Sequence, residues 1–489
     1  MDLLHDATNK PSVHHLQTPL MGTIATDGGR AKFSKSEVVE EVKQQLRLAG
    51  PLVSVNFLTY LLQLISLMFV GHLGELPLAG ASMATSFTSV TAWSLLRGLG
   101  GGLETLCGQS YGAGEYHALG THLQRATIVL VLAAIPLSFV SAHAETILLC
   151  LGQDREISAE AGRYARFEIA SVFGLAILEP HYRFLQSQNN VAPYTVATWA
   201  AALFHVPLCW ALVYWAGLGS PGAALANGIS CWISAVAMFV YVRVSPTCKR
   251  TWTGWSIEAL RGIPGFVRLA VPSAIMLEAC SLEEWSYEMV VLLGGLLPNP
   301  KLETSVLSIS LDTYTLIFMI PLGLGDAVST RVSNELGAGR PRSALLAILV
   351  AMVVAVAEAG LAGMVLVFGR NVWGPLYSKE ERVVKYIGEM MVLIAAFHVF
   401  DAINGVLAGI CRGCGRQKLG ALVNLGAFYL LGIPCSIVLA FVYHVGGKGL
   451  WIGIQIAMVS QVLFLTIMIT RTNWEKEAQK AKSRVYGMD

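Results

Sequence analysis

Charged side chains are scarce in this chain. Only 13% of its 489 residues are Asp, Glu, Lys or Arg, whereas a typical soluble globular chain has about 25%. Hydrophobic residues make up 54%, and the mean hydropathy is +0.57. Apolar runs of about 20 residues, the length that crosses a bilayer, recur along the sequence. These proportions argue against a soluble enzyme and predict a protein that crosses a membrane many times.

Sequence signatures of several other protein classes are missing. No GxxxxGK[ST] motif occurs, so we expect no ATP-hydrolysing site, no cofactor and a dependence on an ion gradient. The net charge of +2 argues against a nucleic-acid partner. The nine cysteines are scattered through apolar runs, as single buried thiols are, and Cys411 and Cys414 lack a second ligand pair, so no metal site is expected. The N-terminus has no basic segment before an apolar core, which predicts no cleavable signal peptide.

Twelve membrane-spanning helices are predicted from apolar runs of spanning length. The first six lie near 48–70, 80–105, 126–149, 165–187, 195–216 and 222–244, and the second six near 267–294, 304–331, 343–368, 386–411, 419–443 and 449–471. The predicted fold is an all-α integral membrane protein with two six-helix lobes around a central cleft. Its parts are a disordered N-terminal tail (1–40), an N-lobe (41–244), an amphipathic linker (245–265), a C-lobe (266–471) and a solvated C-terminal tail (472–489).

Lys and Arg predict the orientation of these helices. They are concentrated in one set of connections and in both tails, whereas the opposite loops GHLGELPL and GLGSPG have none. Basic loops stay on the cytosolic side of a membrane. We therefore expect both termini, and the linker, to be cytosolic.

The two halves of the sequence resemble each other. Three segment pairs match in order: LRLAGPLVSVN with VRLAVPSAIML, RGLGGGLETLCGQSYGAGE with LGLGDAVSTRVSNELGAGR, and GSPGAALANGIS with GGKGLWIGIQIA. Each half has an even number of spans, so the repeats share one orientation. Substrate sites in such proteins lie between the repeats near the middle of the membrane.

Acidic residues interrupt two predicted spans. The stretch from Leu277 to Leu297 contains Glu278, Glu283, Glu284 and Glu288, and Asp401 interrupts the run HVFDAINGVLAGIC. A carboxylate inside a bilayer costs several kcal/mol unless it is paired, protonated or facing water. We expect these two helices to line one polar cavity, to which the following residues also contribute: Asn56, Tyr60 and Gln63 on the first span, Asp312 on the eighth, and His398 and Asn404 beside Asp401.

Other polar and helix-bending residues have simpler structural explanations. Arg331 and Arg412 are expected to snorkel at cytosolic helix ends. Glu104 follows glycines that permit close helix packing, and Pro180 is expected to break the fourth span beside a polar cluster of Glu179, His181 and Arg183. Pro51 and Pro272 occupy matching positions, where they either bend a span as gating elements or begin a helix.

Four motifs carry a family resemblance. They are LETLCGQSYGAG from Leu103, WSYEMVVLLGGLLPNPKLETSVLSI from Trp285, STRVSNELGAG from Ser329 and GICRGCGRQ from Gly409. With them the sequence resembles the multidrug and toxic compound extrusion family, in its plant branch, from about Glu41 to Arg471. The resemblance implies a secondary transporter that exchanges flavonoids, alkaloids, organic acids or hormones for protons by alternating access.

The resemblance also implies site residues. LEEWSYE matches a family segment on the seventh span and makes Glu283 a proton-coupling carboxyl, with Trp285 and Glu288 beside it in the cavity; Asp401 in FDAINGVLAG matches the second coupling carboxyl. Glu284 stands where the family usually has tryptophan, and Glu283 comes later after Pro272 than in relatives. Glu278 therefore remains an alternative.

Two other functions remain open at this stage. One is a non-transporting membrane receptor or scaffold of the same fold; the other is a lipid-linked sugar flippase, which would need a strongly cationic cleft. The expected partners are a small organic substrate, protons and the lipid bilayer. One chain contains both lobes, so a monomer suffices for function, in either the plasma membrane or the vacuolar membrane.

Overall fold

A computed structural model describes residues 33–377 and 380–486. Within these ranges the side chains of 75, 273, 276–284, 288, 301 and 376–377 are not described. Glu278, Glu283, Glu284 and Glu288 therefore lie outside the described side chains, and the predicted roles of Glu283 and Glu288 stay predictions.

The described part of the chain forms twelve long helical segments, called spans 1 to 12, and no strands. They are Lys35–Gly71, 75–113, Tyr116–Ala142, Arg155–Ser187, Ala192–Trp215, Ser220–Val244, Ile263–Gly294, Pro300–Gly337, Pro341–Tyr377, Glu381–Cys414, Gln417–Val442 and Gly447–Thr470. Among the described residues, nine of these helices are long and apolar enough to cross a membrane. The predicted all-α fold with twelve spans is confirmed.

Three spans contain π-helical segments. Span 2 consists of Glu75–Thr88 and Ser94–Ala113, joined by the π-helical Ser89–Trp93. Span 5 ends in Ala211–Trp215, and span 11 contains Gly426–Gly432 and Val438–Val442. π-Helical segments are rare in proteins, and those that occur often lie at functional sites. Short helices lie at Ala144–Cys150, Pro246–Cys248, Glu258–Arg261 and Trp474–Tyr486.

Several predicted boundaries differ from those of the structure. Span 1 begins at Lys35, because Ser34 and Glu37 form a capping box at its N-terminus. Residues 35–40 are therefore helical, and their assignment to a disordered tail is wrong. Span 3 ends at Ala142 and a separate short helix follows, so the predicted range 126–149 joined two elements. Apolar composition locates the middle of a span but not the polar turns that extend it.

Three prolines that the sequence analysis singled out lie inside helices rather than at their ends. Span 4 continues from Arg155 through Pro180 to Ser187, so the predicted break is absent. Pro51 and Pro272 likewise lie within spans 1 and 7, which excludes their role as helix starts and leaves gating as the prediction. Neighbouring helices and polar groups can satisfy the backbone carbonyl that each proline frees.

The C-terminal segment is not simply a solvated tail. Trp474–Tyr486 forms a helix whose Glu477, Ala478 and Ala481 are 3%, 7% and 0% exposed. It packs against spans 2, 8 and 9. Glu475, Lys476, Lys480 and Lys482, which predicted a solvated tail, are exposed on the outer face of this helix, whereas Glu477 and Arg484 face the lobes.

The backbone supports the internal repeat. Gly219 and Gly446, with φ of +65° and +70°, immediately precede spans 6 and 12. Gly114 and Gly339, in the matching GAG motifs, have φ of +81° and +68°. These angles favour glycine because it lacks a Cβ. The glycines that match between the two halves of the sequence therefore adopt the same positive-φ backbone conformation in both halves.

Among the described side chains, apolar cores join the two lobes at one end only. We call the end where span 1 begins the terminal end. There, Leu52 of span 1 shares a core with Val328 of span 8, and Leu103 of span 2 shares another with Ala270 of span 7. Toward the opposite end, two further described cores each contain residues of a single lobe. The lobes are thus held together mainly at the terminal end.

Candidate functional site

Asp401 lies inside the C-lobe, on span 10. It is 1% exposed, and the hydroxyl of Tyr314 donates a hydrogen bond to its Oδ1 at 3.4 Å. Its Oδ2 has no hydrogen-bond partner among the described residues. The nearest cationic candidate is His398 one turn earlier, with Nδ1 4.0 Å from Oδ2. Asp401 is thus a buried carboxyl with one oxygen available for a proton.

Glu358 of span 9 extends this cluster. Its Oε1 lies 3.2 Å from Nε2 of His398, so the imidazole stands between two carboxyl groups. Our sequence reasoning missed Glu358, although a single acid in the apolar run AVAEAGLAGMV is the same signal that drew attention to Asp401. Asp401, His398 and Glu358 form the acidic cluster.

Aromatic rings hold Tyr314 in place. Its ring stacks on Tyr287 with centroids 4.7 Å apart and on Phe318 at 5.8 Å. Trp451 meets the Tyr314 ring edge-on at 5.9 Å, and Gln455 donates to the Tyr287 hydroxyl at 3.4 Å. The hydroxyl that contacts Asp401 is therefore positioned by packing on spans 7, 8 and 12.

The other predicted cavity residues are spread over both lobes. Asn404 is 5% exposed and its Oδ1 lacks a described partner, whereas Trp285 is 49% exposed. Asn56, Tyr60 and Gln63 are half-buried on span 1. Among the side chains that the structure describes, no hydrogen bond or ion pair joins Asn56 or Gln63 to the acidic cluster. Asp312 is exposed on span 8.

A buried ion network connects the lobes at the terminal end. Arg183 of span 4 contacts Glu179 at 2.7 Å, Glu104 of span 2 at 3.0 Å, and Asp326 of span 8 at 3.4 Å. Arg412 of span 10 contacts Asp326 at 2.9 Å. Glu104 is completely buried. We call these five residues the inter-lobe network, since Arg183 and Glu104 belong to the N-lobe and Asp326 and Arg412 to the C-lobe.

The expected snorkelling of two arginines is wrong. Arg412 belongs to the inter-lobe network, and Arg331 makes two hydrogen bonds to Glu41 of span 1, at 3.0 and 2.7 Å. Glu335 also accepts from Arg331 at 3.0 Å. Glu41 is 5% exposed, so the acids that neutralise these arginines lie in the interface and not in solvent. His181 does not join Glu179 and Arg183 but lies 3.3 Å from Arg243.

Glycines let the lobe backbones touch. A Cβ on Gly112 of span 2 would overlap the carbonyl oxygen of Asn334 of span 8, and one on Gly337 would overlap that of Gln109. A Cβ on Gly98 would overlap the Cα of Ala274 of span 7. The glycines of both GAG motifs and of GLGGG therefore form a tight seam that, together with the inter-lobe network, closes the terminal end.

The C-terminal helix bridges this seam. Arg484 donates to Oε1 of Gln109 in the N-lobe and to the carbonyl of Cys414 in the C-lobe, both at 3.2 Å. Arg416 holds Glu477 at 2.6 Å, and Lys480 contacts the same oxygen at 3.0 Å. Burial acts to raise the pKa of Glu477, but the hydrogen bonds from Arg416 and Lys480 outweigh it and lower that pKa below its ordinary value.

We expect Glu477→Gln to destabilise the protein by about 1 to 3 kcal/mol at neutral pH, because a hydrogen-bonded charge is lost. A lowered carboxyl pKa stabilises the fold above the group's ordinary value, 4.5, and this contribution disappears as the pH falls through the lowered value. The loss should therefore shrink in acid. Thermal unfolding of the purified protein at neutral and acidic pH measures it, with exposed Glu475→Gln as the control. Equal losses in both variants, or no dependence on pH, would contradict this docking.

Known proteins share this architecture. A family model described as MatE matches residues 51–211 and 274–438. The chain belongs to the MatE family. It is 54% identical over 451 residues to Protein DETOXIFICATION 16 of Arabidopsis thaliana, with 92% of each chain covered. It is 48% identical over 455 residues to Protein DETOXIFICATION 15 of the same plant, covering 93% of this chain and 92% of the relative.

Solved MatE-family structures agree with this assignment. The crystal structure of the eukaryotic MATE transporter AtDTX14 matches with a TM-score of 0.85 and 44% identity, over 92% of this chain and 100% of that chain. The Vibrio cholerae MATE transporter VcmN in the bent form matches with a TM-score of 0.78 over the same shares, but at 16% identity it shows the shared fold alone. The resemblance seen in the sequence is confirmed, and this MatE protein is a multi-pass membrane transporter.

Proposed function

We propose that this MatE transporter is a proton-coupled antiporter that exports or sequesters organic compounds. The observation that carries the proposal is Asp401, a carboxyl buried within a span with one oxygen unpartnered. A bare carboxylate is costly in such surroundings. Asp401 therefore suits reversible protonation more than permanent pairing with a cation.

The acidic cluster supplies a route for coupling protonation to packing. A proton on Oδ2 leaves Tyr314 as the donor to Oδ1, whereas its release creates an anion that draws in His398. Tyr314 is packed on spans 7 and 12 through Tyr287 and Trp451. A change at Asp401 is thereby transmitted to helices that border the cleft.

The closed terminal end fits one half of an alternating-access cycle. The inter-lobe network and the glycine seam block the terminal end, while the cores toward the opposite end belong to single lobes. We place the terminal end in the cytosol because Lys and Arg are concentrated there. This arrangement is then the outward-facing state, and opening toward the cytosol requires the network to break.

The proton gradient supplies enough energy for this exchange. One pH unit across a membrane is worth about 1.4 kcal/mol per proton, and a membrane potential adds about 2.3 kcal/mol per charge for every 100 mV. One proton per cycle therefore accumulates a neutral substrate roughly tenfold for each pH unit.

Substrate-dependent proton flux in proteoliposomes with an imposed pH gradient tests the function. We expect one class in a panel of flavonoids, alkaloids, organic acids and hormones to dissipate the gradient, and its uptake to stop when an ionophore collapses that gradient. Liposomes without protein are the control. Uptake that persists without the gradient contradicts proton coupling. If no compound in the panel produces a proton flux although the protein is folded, transport of these four classes is contradicted.

A further inference from the structure

Arg97 is a cation within span 2, and among the side chains that the structure describes it has no counter-ion. It lies four residues after the π-helical segment ends, on a half-buried part of the helix. Its guanidinium carbon stands 5.9 Å from the ring centroid of Trp93. No acid lies within salt-bridge distance of it among the described side chains, and it donates no hydrogen bond there. An arginine within a span normally pairs with an acid or faces a water-filled cavity.

Two further donors near Arg97 lack acceptors. The indole nitrogen Nε1 of Trp93 is buried and has no described hydrogen-bond partner. Tyr194 of span 5 is close enough for its charge to interact with that of Arg97, and its hydroxyl donates to no described residue. A buried polar group without a partner costs free energy. The unpartnered Trp93 N–H, with the Arg97 guanidinium and the Tyr194 hydroxyl near it, is a set of donors that suits an acceptor arriving from outside the described part of the protein.

The acid that faces the same region is already occupied. Glu179 interacts electrostatically with Tyr194 and Cys231. These two residues also interact electrostatically with Arg97. The Oε1 of Glu179, however, accepts from Nε of Arg183 at 2.7 Å. Among the described side chains, Glu179, Tyr194 and Cys231 are thus the titratable groups near Arg97, and the carboxylate of Glu179 is bound to Arg183.

Aromatic rings complete the surroundings. Trp93 lies beside the guanidinium, and Tyr194 packs against Tyr182 with ring centroids 4.4 Å apart. Arginine binds carboxylates through two parallel N–H donors and stacks on flat rings. Donors and rings together suit a ligand with a carboxylate on an aromatic body.

We propose that Arg97, Trp93 and Tyr194 form a subsite for the carboxylate of an aromatic organic acid. This inference rests on the proposed transport function and names its substrate class. Arg97 binds the carboxylate, the Trp93 indole adds a donor, and the rings of Trp93 and Tyr194 contact the aromatic body. The subsite selects anions over cations.

Equilibrium binding to the purified full-length protein in lipid nanodiscs, without any gradient, tests this subsite. The probes are cinnamate, its uncharged methyl ester and tetraethylammonium. We expect cinnamate to bind most tightly, and Arg97→Gln to weaken its binding about ten- to a hundredfold through loss of a charged hydrogen-bond pair. Binding of the ester should not change. Trp93→Phe, which keeps an aromatic ring but removes the N–H, should give a smaller loss.

Arg243→Gln is the matched control, because Arg243 also lies over an aromatic ring, that of Phe239 at 3.2 Å, but at the end of span 6. The subsite is disproved if the native protein binds tetraethylammonium or the ester as tightly as cinnamate. It is also disproved if Arg97→Gln and Arg243→Gln have equal effects. If Arg97→Gln fails to fold, Arg97→Lys and Trp93→Phe decide, and unchanged cinnamate binding in both overturns the proposal. If cinnamate binding depends on Arg97 but no gradient-driven transport is observed, the subsite is supported and proton coupling is refuted.

Discussion

Asp401→Asn should abolish accumulation of substrate against its gradient while leaving the protein folded. Asparagine keeps the shape of the side chain and accepts from Tyr314, but it cannot gain or lose a proton. Native protein should accumulate a neutral substrate roughly tenfold per pH unit, and the variant should reach only equal concentrations on both sides. Uptake into proteoliposomes with an imposed pH gradient measures the difference.

Glu389→Gln is the control for this result, because Glu389 is an exposed acid on span 10 that pairs with Lys448 at the surface, outside the acidic cluster. It should keep gradient-driven uptake. Glu358→Gln provides an intermediate case, since it removes a charge beside His398 and leaves Asp401 intact. Full accumulation by Asp401→Asn would move coupling to another acid, and Glu283 and its neighbours on span 7 would be tested next.

Arg183→Ala should have the largest effect on stability. Removing one partner of a buried ion pair costs about 3 to 5 kcal/mol, because the remaining charge stays buried without compensation. Here the remaining charges are Glu179, whose side chain is 7% exposed, and Glu104, which is 0% exposed and keeps Arg412 at 3.8 Å. Thermal unfolding in detergent should show the loss as a large fall in the midpoint temperature.

Arg166→Ala is the matched control, since Arg166 pairs with Glu145 at the surface and such pairs contribute at most about 1 kcal/mol. Adding Glu104→Gln to Arg183→Ala should restore part of the stability by removing the buried charge. If Arg183→Ala unfolds no earlier than Arg166→Ala, the network contributes little to stability and acts in gating alone.

The span positions followed from the sequence because each span needs a long apolar run, and apolar composition is a local property. Helix ends were harder to predict. Span 1 begins at Lys35 because Ser34 and Glu37 form a capping box there. The residues around this cap are polar, so a search for apolar runs does not detect the start of the helix. The repeat was also visible in the sequence, since glycines at positive φ, such as Gly114 and Gly339, must be retained in both copies.

The ion pairs could not be predicted in the same way. Glu104, Arg183, Asp326 and Arg412 lie on four different spans, and nothing local to any of them identifies its partner. Arg331 and Arg412, near helix ends, had a simpler explanation in snorkelling. Asp401 was found because it interrupts an apolar run, and the same criterion applied throughout would also have found Glu358 and Arg97.

The bridging C-terminal helix affects how the protein should be labelled. A fluorescent protein or affinity tag fused to this helix would be joined to Arg484, which contacts both lobes. A bulky attachment would disturb the contacts that Arg484 makes with both lobes and would change how readily the lobes separate.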